Sequence, residues 1–270
     1  MYDICIIGGG PAGLSAALTA NRRNKSCLVI SSAPENSLLY KAEQVDNYLG
    51  LPQKSGKELL ETFERHVKSL GIEIKTSVVT AVMPYGESFG VAVGSDFFEA
   101  KSIIIAIGVS RAKPYPGEDE FLGLGVSYCA TCDGMLYRGK KVAVIGLSTE
   151  AYEEAEFLRS INCDVEFFDS KRAKKFEIVG SEKLEALIAD GVRYEVEAVF
   201  ILRPSVAPDK LLPDLEFNGA DISVDRDMST NLPGVFAAGD CVGMPYQIGK
   251  AVGEGNVAAL SAVKYLDSIK

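Results

Sequence analysis

Tyr2-Asp-Ile-Cys-Ile-Ile7-Gly8-Gly-Gly10-Pro11-Ala12-Gly13-Leu14 decides how the whole chain is read. An apolar, β-branched run meets a glycine-rich turn, and residues 14–20 are small and helix-compatible. Cys27-Leu-Val-Ile30 supplies a second strand, so the N-terminus reads as one βαβ unit. Within the pattern G-x-G-x-x-G, Gly8 permits the tight turn and Gly10 lets backbone approach a pyrophosphate. Gly13 lets helix and strand pack. The helix start then offers N–H groups and the positive end of its dipole to phosphates. The pattern is weak alone and strong where it follows a strand and opens a helix, as here. An acidic ribose partner usually stands at the end of the second strand. That end is Ile30-Ser31-Ser32, which puts Ser31 at the position, with Glu35 the nearest carboxylate.

Working outward, Leu59, Leu60, Phe63, Val67 and Leu70 recur at helical spacing, and Gly71 stops that helix. His66, the chain's one histidine, sits among charged residues on it and is expected at the surface. Segments 72–82, 89–93 and 96–99 read as short strands, and 103–107 as a core strand ending at Gly108. Residues 110–117, with Pro114 and Pro116, read as a linker. A second unit begins at Lys141: Val142–Ile145 as strand, Gly146 as turn, 149–159 as helix, Asp164–Phe168 as strand. It echoes the first, ends near Leu202, and is followed by Gly234-Val-Phe-Ala-Ala-Gly-Asp240 and a final helix over 248–269. The repeat predicts an α/β fold with two Rossmann-like dinucleotide-binding-type domains.

Composition narrows the function. With 47% apolar and 24% charged residues, the 270-residue chain is of globular type, not disordered or fibrous. No apolar stretch approaches the ~18 residues of a membrane span, and no signal peptide is visible at Met1. The net charge of −9 argues against nucleic-acid binding. The one basic run, Lys171-Arg172-Ala-Lys174-Lys175, has a plain reading as a solvated loop. Six cysteines are too few for a stapled secreted scaffold, so a reducing, cytoplasmic setting is expected.

Two of the six form Cys129-Ala-Thr-Cys132-Asp133. Thiols at this spacing on a helix turn can close a disulfide and lower one another's pKa. Zinc would need two further ligands, and no second such pair exists, so no metal is expected. An inert buried pair is the other alternative to redox chemistry. Asp133 is placed to give or take the proton of thiol–disulfide exchange, or to cap a helix.

These motifs, with Val45-Asp-Asn47, Ala106-Ile107-Gly108 and Lys141-Val-Ala-Val-Ile-Gly146, resemble those of the low-molecular-weight thioredoxin reductases, which are FAD-containing disulfide reductases. The resemblance covers almost the whole chain. It implies an FAD domain of residues 1–111 and 214–270, with a redox-disulfide domain, 112–213, inserted between. Gly8, Gly10, Pro11, Ala12, Gly13 and Ser31 would hold the adenosine and phosphate side. Gly239 and Asp240 would meet the ribityl–phosphate side. Asn47, Ala106, Ile107, Gly108, Gln247 and Ile248 would lie near the flavin. Cys132 would be the flavin-proximal sulfur and Cys129 the one that attacks thioredoxin. A homodimer and large domain rotation are further traits of the family.

The departures concern the electron donor. The family's inserted domain binds NADPH through G-x-G-x-x-A, and this chain reads Gly146-Leu-Ser148-Thr-Glu150-Ala151. Ser148 puts a side chain where backbone should meet pyrophosphate, and Glu150 puts a negative charge where phosphates would lie. The family's histidine–arginine–arginine stretch is replaced by Phe168-Asp169-Ser170-Lys171. Asp169 could serve an NAD ribose, so NADPH is excluded more firmly than NADH. The insert is also short, and the missing part is expected between Lys175 and Ala198. In the flavin domain, Asn36-Ser-Leu-Leu39 replaces the family's Gly-Gly-Gln-Leu. The chain therefore resembles the branch driven by reduced ferredoxin, an acidic one-electron carrier for which Lys171, Arg172, Lys174 and Lys175 form a candidate patch. The rivals are a nicotinamide-dependent thioredoxin reductase with an unusual site, an FAD dithiol oxidase, and a flavin-binding module without turnover.

Overall fold

The computed structural model describes residues 1–109, 114–148 and 151–269. The chain falls into two compact units, Met1–Ser110 with Ser205–Lys270, and Arg111–Pro204. The first contains β1 (Tyr2–Ile7), α1 (Pro11–Arg22), β2 (Cys27–Ser31), α2 (Gly56–Ser69), β3 (Glu73–Thr76), β4 (Val79–Tyr85), β5 (Ser88–Val93) and β6 (Asp96–Ile105). The second contains β7 (Val126–Ser127), α3 (Ala130–Asp133), β8 (Lys141–Gly146), α4 (Ala151–Ser160) and β9 (Asp164–Phe168). It continues with β10 (Phe176–Gly180), β11 (Leu184–Ala189), β12 (Val192–Glu195) and β13 (Ala198–Leu202). The chain then returns to the first unit with α5 (Pro208–Leu211), β14 (Phe217–Asn218), β15 (Asp221–Ile222), β16 (Val235–Ala237) and α6 (Ile248–Ser268).

The first unit is built on a sheet in the order β3-β2-β1-β6-β5-β4, with β16 also on β6. Its parallel part is β3-β2-β1-β6 with β16; β3 is a half-exposed edge, while the strands inside it are buried on both faces, which is why Ile4–Ile7 and Ile103–Ile105 are uninterrupted apolar runs. The segments 96–99 and 103–107, expected as two strands, form one ten-residue strand to Ile105. Lys101 and Ser102 look like a break in sequence. Lys101 pairs with Asp3, and the Ser102 hydroxyl donates to the Asp3 carbonyl, so neither interrupts the ladder. The outer half of β6 runs antiparallel to β5, and its inner half runs parallel to β1 and β16. The stretch 205–213, assigned in sequence to the insert, belongs to the first unit, where α5 packs on β4 and Leu211 and Leu212 are buried. Helix α2 starts on a capping box: Ser55 Oγ accepts Glu58 N–H while the Glu58 carboxylate accepts Ser55 N–H. His66 is exposed on that helix.

The second unit repeats the plan with a parallel sheet, β7-β13-β8-β9. The stretch between Lys175 and Ala198 is not the loss of strands that chain length suggests. It folds as the antiparallel meander β10-β11-β12, turning between its last two strands at Asp190-Gly191, both at positive φ as a two-residue hairpin requires. Residues 110–113, with the expected linker start and the 111/112 boundary, and Thr149-Glu150, with the expected charge at the helix start, lie outside the described residues.

Candidate flavin cradle and redox disulfide

The glycine turn does what its spacing demands. A Cβ on Gly8, at φ +115°, would lie 2.2 Å from the Ala106 carbonyl oxygen, and one on Gly13 would lie 1.8 Å from Gly8 O. These are backbone contacts, so only glycine lets β1, the end of β6 and α1 close on one another. The loop is pinned by Gly8 N–H to Ile30 O (2.8 Å) and Ala106 N–H to Ile7 O (2.7 Å). At Gly10, the α1 N-cap, a Cβ would meet nothing within 4 Å. That helix starts with Pro11, has no side-chain cap and has no acidic residue in its first turn. An open, uncapped, positive helix end suits a pyrophosphate. Ser31 abuts the loop, since a Cβ on Gly9 would stand 2.8 Å from its Oγ.

The other expected cradle residues arrive from far along the chain. Gly239 follows β16 and lies against Ala12, where a Cβ would come within 2.9 Å of the Ala12 methyl carbon. Asn47 Nδ2 donates to Gln247 Oε1 at 2.8 Å, joining two residues assigned in sequence to the flavin side. Asp240 is half-buried, and burial raises its pKa against the opposing pull of Lys250. Sequence reasoning missed Lys250 and Glu254, an i,i+4 pair on the first turns of α6. Lys250 Nζ donates to the carbonyls of Gly239 (3.0 Å) and Gly243 (2.7 Å), and Glu254 accepts Gly239 N–H at 3.0 Å. Together they hold the Asp240 loop at both ends. In the segment after β2, Asn36 Nδ2 is buried without a partner among the described residues. The open α1 end and this orphan donor fit a bound dinucleotide.

In the second unit, Cys129 and Cys132 form a disulfide, with Cα atoms 5.3 Å apart. Cys129 is the N-cap of α3 and is buried, while Cys132 is exposed. Two partners invisible in the sequence hold this turn. Ser127 Oγ accepts Cys129 N–H (3.1 Å) and lies 2.7 Å from Asp133 Oδ2. From α4, Glu154 accepts Ala130 N–H at 2.8 Å. No local pattern marks either Ser127 or Glu154. The other four cysteines are free and buried, and burial pushes Cys5 and Cys241 to about 12 and Cys27 to about 11. Among the described residues no three His, Cys, Asp or Glu side chains converge as a metal site, and no helix is long and apolar enough to cross a membrane.

The turn after β8 differs from the first. A Cβ on Gly146 would stand 2.6 Å from the Phe167 ring, so an aromatic side chain crowds the turn. Asp169 is not held out for a ribose: its Oδ1 accepts Lys171 N–H and Arg172 N–H, which lower its pKa. Arg172 is bound to Glu166 and the Phe167 carbonyl and stacks 4.4 Å from the Phe168 ring centroid. Lys171, Lys174 and Lys175 are exposed.

A dinucleotide cradle on one unit and a C-x-x-C disulfide on the other define a flavin disulfide oxidoreductase. The chain matches the pyridine nucleotide-disulphide oxidoreductase family over residues 2–200 and 169–255. It is 33% identical over 302 aligned residues to the thioredoxin reductase of Treponema pallidum, covering 100% of this chain and 98% of that one. Among solved structures, it is similar to a ferredoxin-flavin thioredoxin reductase from Clostridium acetobutylicum (45% identity, TM-score 0.92, 99% of this chain and 98% of that one). It is also similar to a thioredoxin reductase from Gloeobacter violaceus (29% identity, TM-score 0.84, 100% and 95%). The chain belongs to the low-molecular-weight thioredoxin reductase family, whose cofactor is FAD.

Proposed function

We propose that this flavoprotein reduces thioredoxin, or a similar small protein disulfide, with electrons from reduced ferredoxin and without a nicotinamide nucleotide. FAD, when bound, supplies the conversion of single electrons into a pair. The first unit holds it through the residues named above, the second carries the disulfide, and the chain acts as a cytoplasmic homodimer. The observation that carries the donor assignment is the turn after β8: Ser148 replaces the middle glycine, Phe167 crowds Gly146, and Asp169 and Arg172 are spent on local contacts. The 45% identity to a ferredoxin-flavin thioredoxin reductase supports it. Exposed Lys171, Lys174 and Lys175 supply a positive patch for an acidic carrier.

On the substrate side, a Cys129 thiolate attacks the substrate disulfide, a mixed disulfide forms, and Cys132 resolves it. Cys129 is 5% exposed in the disulfide form, so this attack requires a rearrangement that uncovers it.

The test is an anaerobic titration of the yellow holoenzyme, following the flavin absorbance band. Reduced ferredoxin is expected to bleach it, and NADPH and NADH to leave it unchanged. Bleaching by either nucleotide at catalytic speed overturns the donor assignment. A Cys132→Ser protein is expected to trap thioredoxin as a mixed disulfide and Cys129→Ser is not; the reverse result exchanges the two roles.

A further inference from the structure

A single hydroxyl ties the redox motif together. Ser127 ends β7, which is locked in parallel register with fully buried β13, Ser127 opposite Phe200. Its side chain is 5% exposed, so water does not compete for it. Oγ accepts Cys129 N–H at 3.1 Å, and two oxygens lie within its donating reach: Asp133 Oδ2 at 2.7 Å and the Cys129 carbonyl at 3.2 Å. A hydroxyl has one hydrogen to give. The carboxylate is both nearer and charged, so it takes the stronger bond. Asp133 is the last residue of α3, and its own N–H reaches back to Cys129 O at 3.2 Å. The backbone of the first cysteine and the carboxylate after the second are thus fixed to the same rigid strand end.

We propose that Ser127 is a positioning residue for thiol–disulfide exchange at Cys129 and Cys132. It holds the Asp133 carboxylate by Oδ2 and leaves the other oxygen to carry the proton. Its substrate rests on the thioredoxin-reducing reading above. The step balances. Asp133 takes the proton of the Cys129 thiol as the thiolate forms. The thiolate bonds to one substrate sulfur, the substrate disulfide breaks, and the proton goes to the departing sulfur. Cys132 gives up its proton to the same carboxylate, and its thiolate attacks Cys129 Sγ. The Cys129–Cys132 bond re-forms, and the second substrate sulfur leaves with that proton. Two electrons and two protons have left the cysteine pair, and the substrate disulfide has become two thiols.

The experiment uses full-length FAD-loaded protein in five forms: wild type, Ser127→Ala, Asp133→Asn, the double variant, and Ser127→Thr, which keeps the hydroxyl. Each is reduced anaerobically with dithionite. Two quantities are read: the pH dependence of iodoacetamide alkylation at Cys129 and Cys132 by peptide mass spectrometry, and the rate of thioredoxin disulfide reduction after rapid mixing. In Ser127→Ala the alkylation midpoint is expected to move in the same direction as in Asp133→Asn, and thioredoxin reduction to slow about tenfold. The double variant is expected to match Asp133→Asn, and Ser127→Thr to restore the wild-type midpoint. The proposal falls if Ser127→Ala titrates like wild type, if Asp133→Asn does so, or if the double variant loses a further factor equal to that of Ser127→Ala alone. A wild-type protein that reduces no thioredoxin refutes the functional reading instead, and the alkylation profiles still decide the role of Ser127.

Discussion

Arg203 and Glu118 form the most deeply buried ion pair among the described residues, and removing one partner has a calculable cost. The guanidinium makes two bonds to the carboxylate, 2.6 and 2.8 Å, with side chains 11% and 3% exposed. Glu118 also accepts Tyr128 O–H at 2.9 Å and Tyr115 N–H at 2.8 Å, so all its bonding comes from within the second unit. Burial raises the Tyr128 pKa, as does the Glu118 charge, and the phenol remains a donor across the working range. Arg203→Ala leaves a buried carboxylate without its cation, which costs about 3–5 kcal/mol. Tenfold in an equilibrium constant is about 1.4 kcal/mol, so opening of this unit becomes roughly 10² to 4 × 10³ times more frequent. The assay is amide hydrogen exchange of peptides spanning β13, which is fully buried and central in its sheet. Those peptides are expected to exchange faster by that factor, while peptides from β1 and α1 keep their rates. An acceleration of less than about fivefold, under ~1 kcal/mol, would mean that water screens the pair, and would refute the reasoning. Replacing both residues, Arg203→Met with Glu118→Leu, is expected to recover only part of the loss, because Tyr128 O–H and Tyr115 N–H then lack an acceptor.

Three further outcomes follow from the geometry. Gly13→Ala drives a methyl group to 1.8 Å from Gly8 O and forces α1 off β1, so the purified protein is expected to lose its flavin absorbance. Native alkylation of the reduced protein at pH 8 is expected to label Cys129 and Cys132 and to spare Cys5, Cys241 and Cys27, whose pKa values burial pushes to about 12, 12 and 11; their labelling at the same rate would contradict that burial. Glu154→Gln removes a negative charge from the start of α3. A Cys129 thiolate then forms more readily, the dithiol is stabilised, and the disulfide potential is expected to rise by roughly 5–20 mV in a thiol–disulfide redox titration. A fall in potential would show that the sign is wrong.

What the sequence revealed and what it hid divide along physical lines. The Gly8–Gly13 turn is legible because strand, turn and helix are contiguous, and the Gly13 contact with Gly8 lies inside the turn itself. The Asn47–Gln247 bond and the Gly239–Ala12 contact were reachable only through family resemblance, since no local pattern joins residues so far apart. Strand β6 looks broken in sequence because Lys101 and Ser102 interrupt its apolar run, whereas in the fold Asp3 satisfies both. The meander β10-β11-β12 was hidden by comparing lengths, although Asp190-Gly191 between two alternating runs marks a hairpin. Ser127 and Glu154 were missed because a serine or glutamate declares nothing until the fold brings it to an N–H group.

The first unit is closed by pieces on either side of the insert. Strand β6 receives β16, and Gly255 of α6 lies so close to α1 that a Cβ there would stand 2.0 Å from the Ala12 carbonyl oxygen. During synthesis the second unit has all its strands once Leu202 emerges, whereas the Asp240 loop, Lys250 and Glu254 appear only later. Domains made early on the ribosome fold early. The thiol-bearing unit can thus complete itself while the half-built first unit waits, and cofactor loading becomes a late event of biogenesis, after the cysteine pair is already in place.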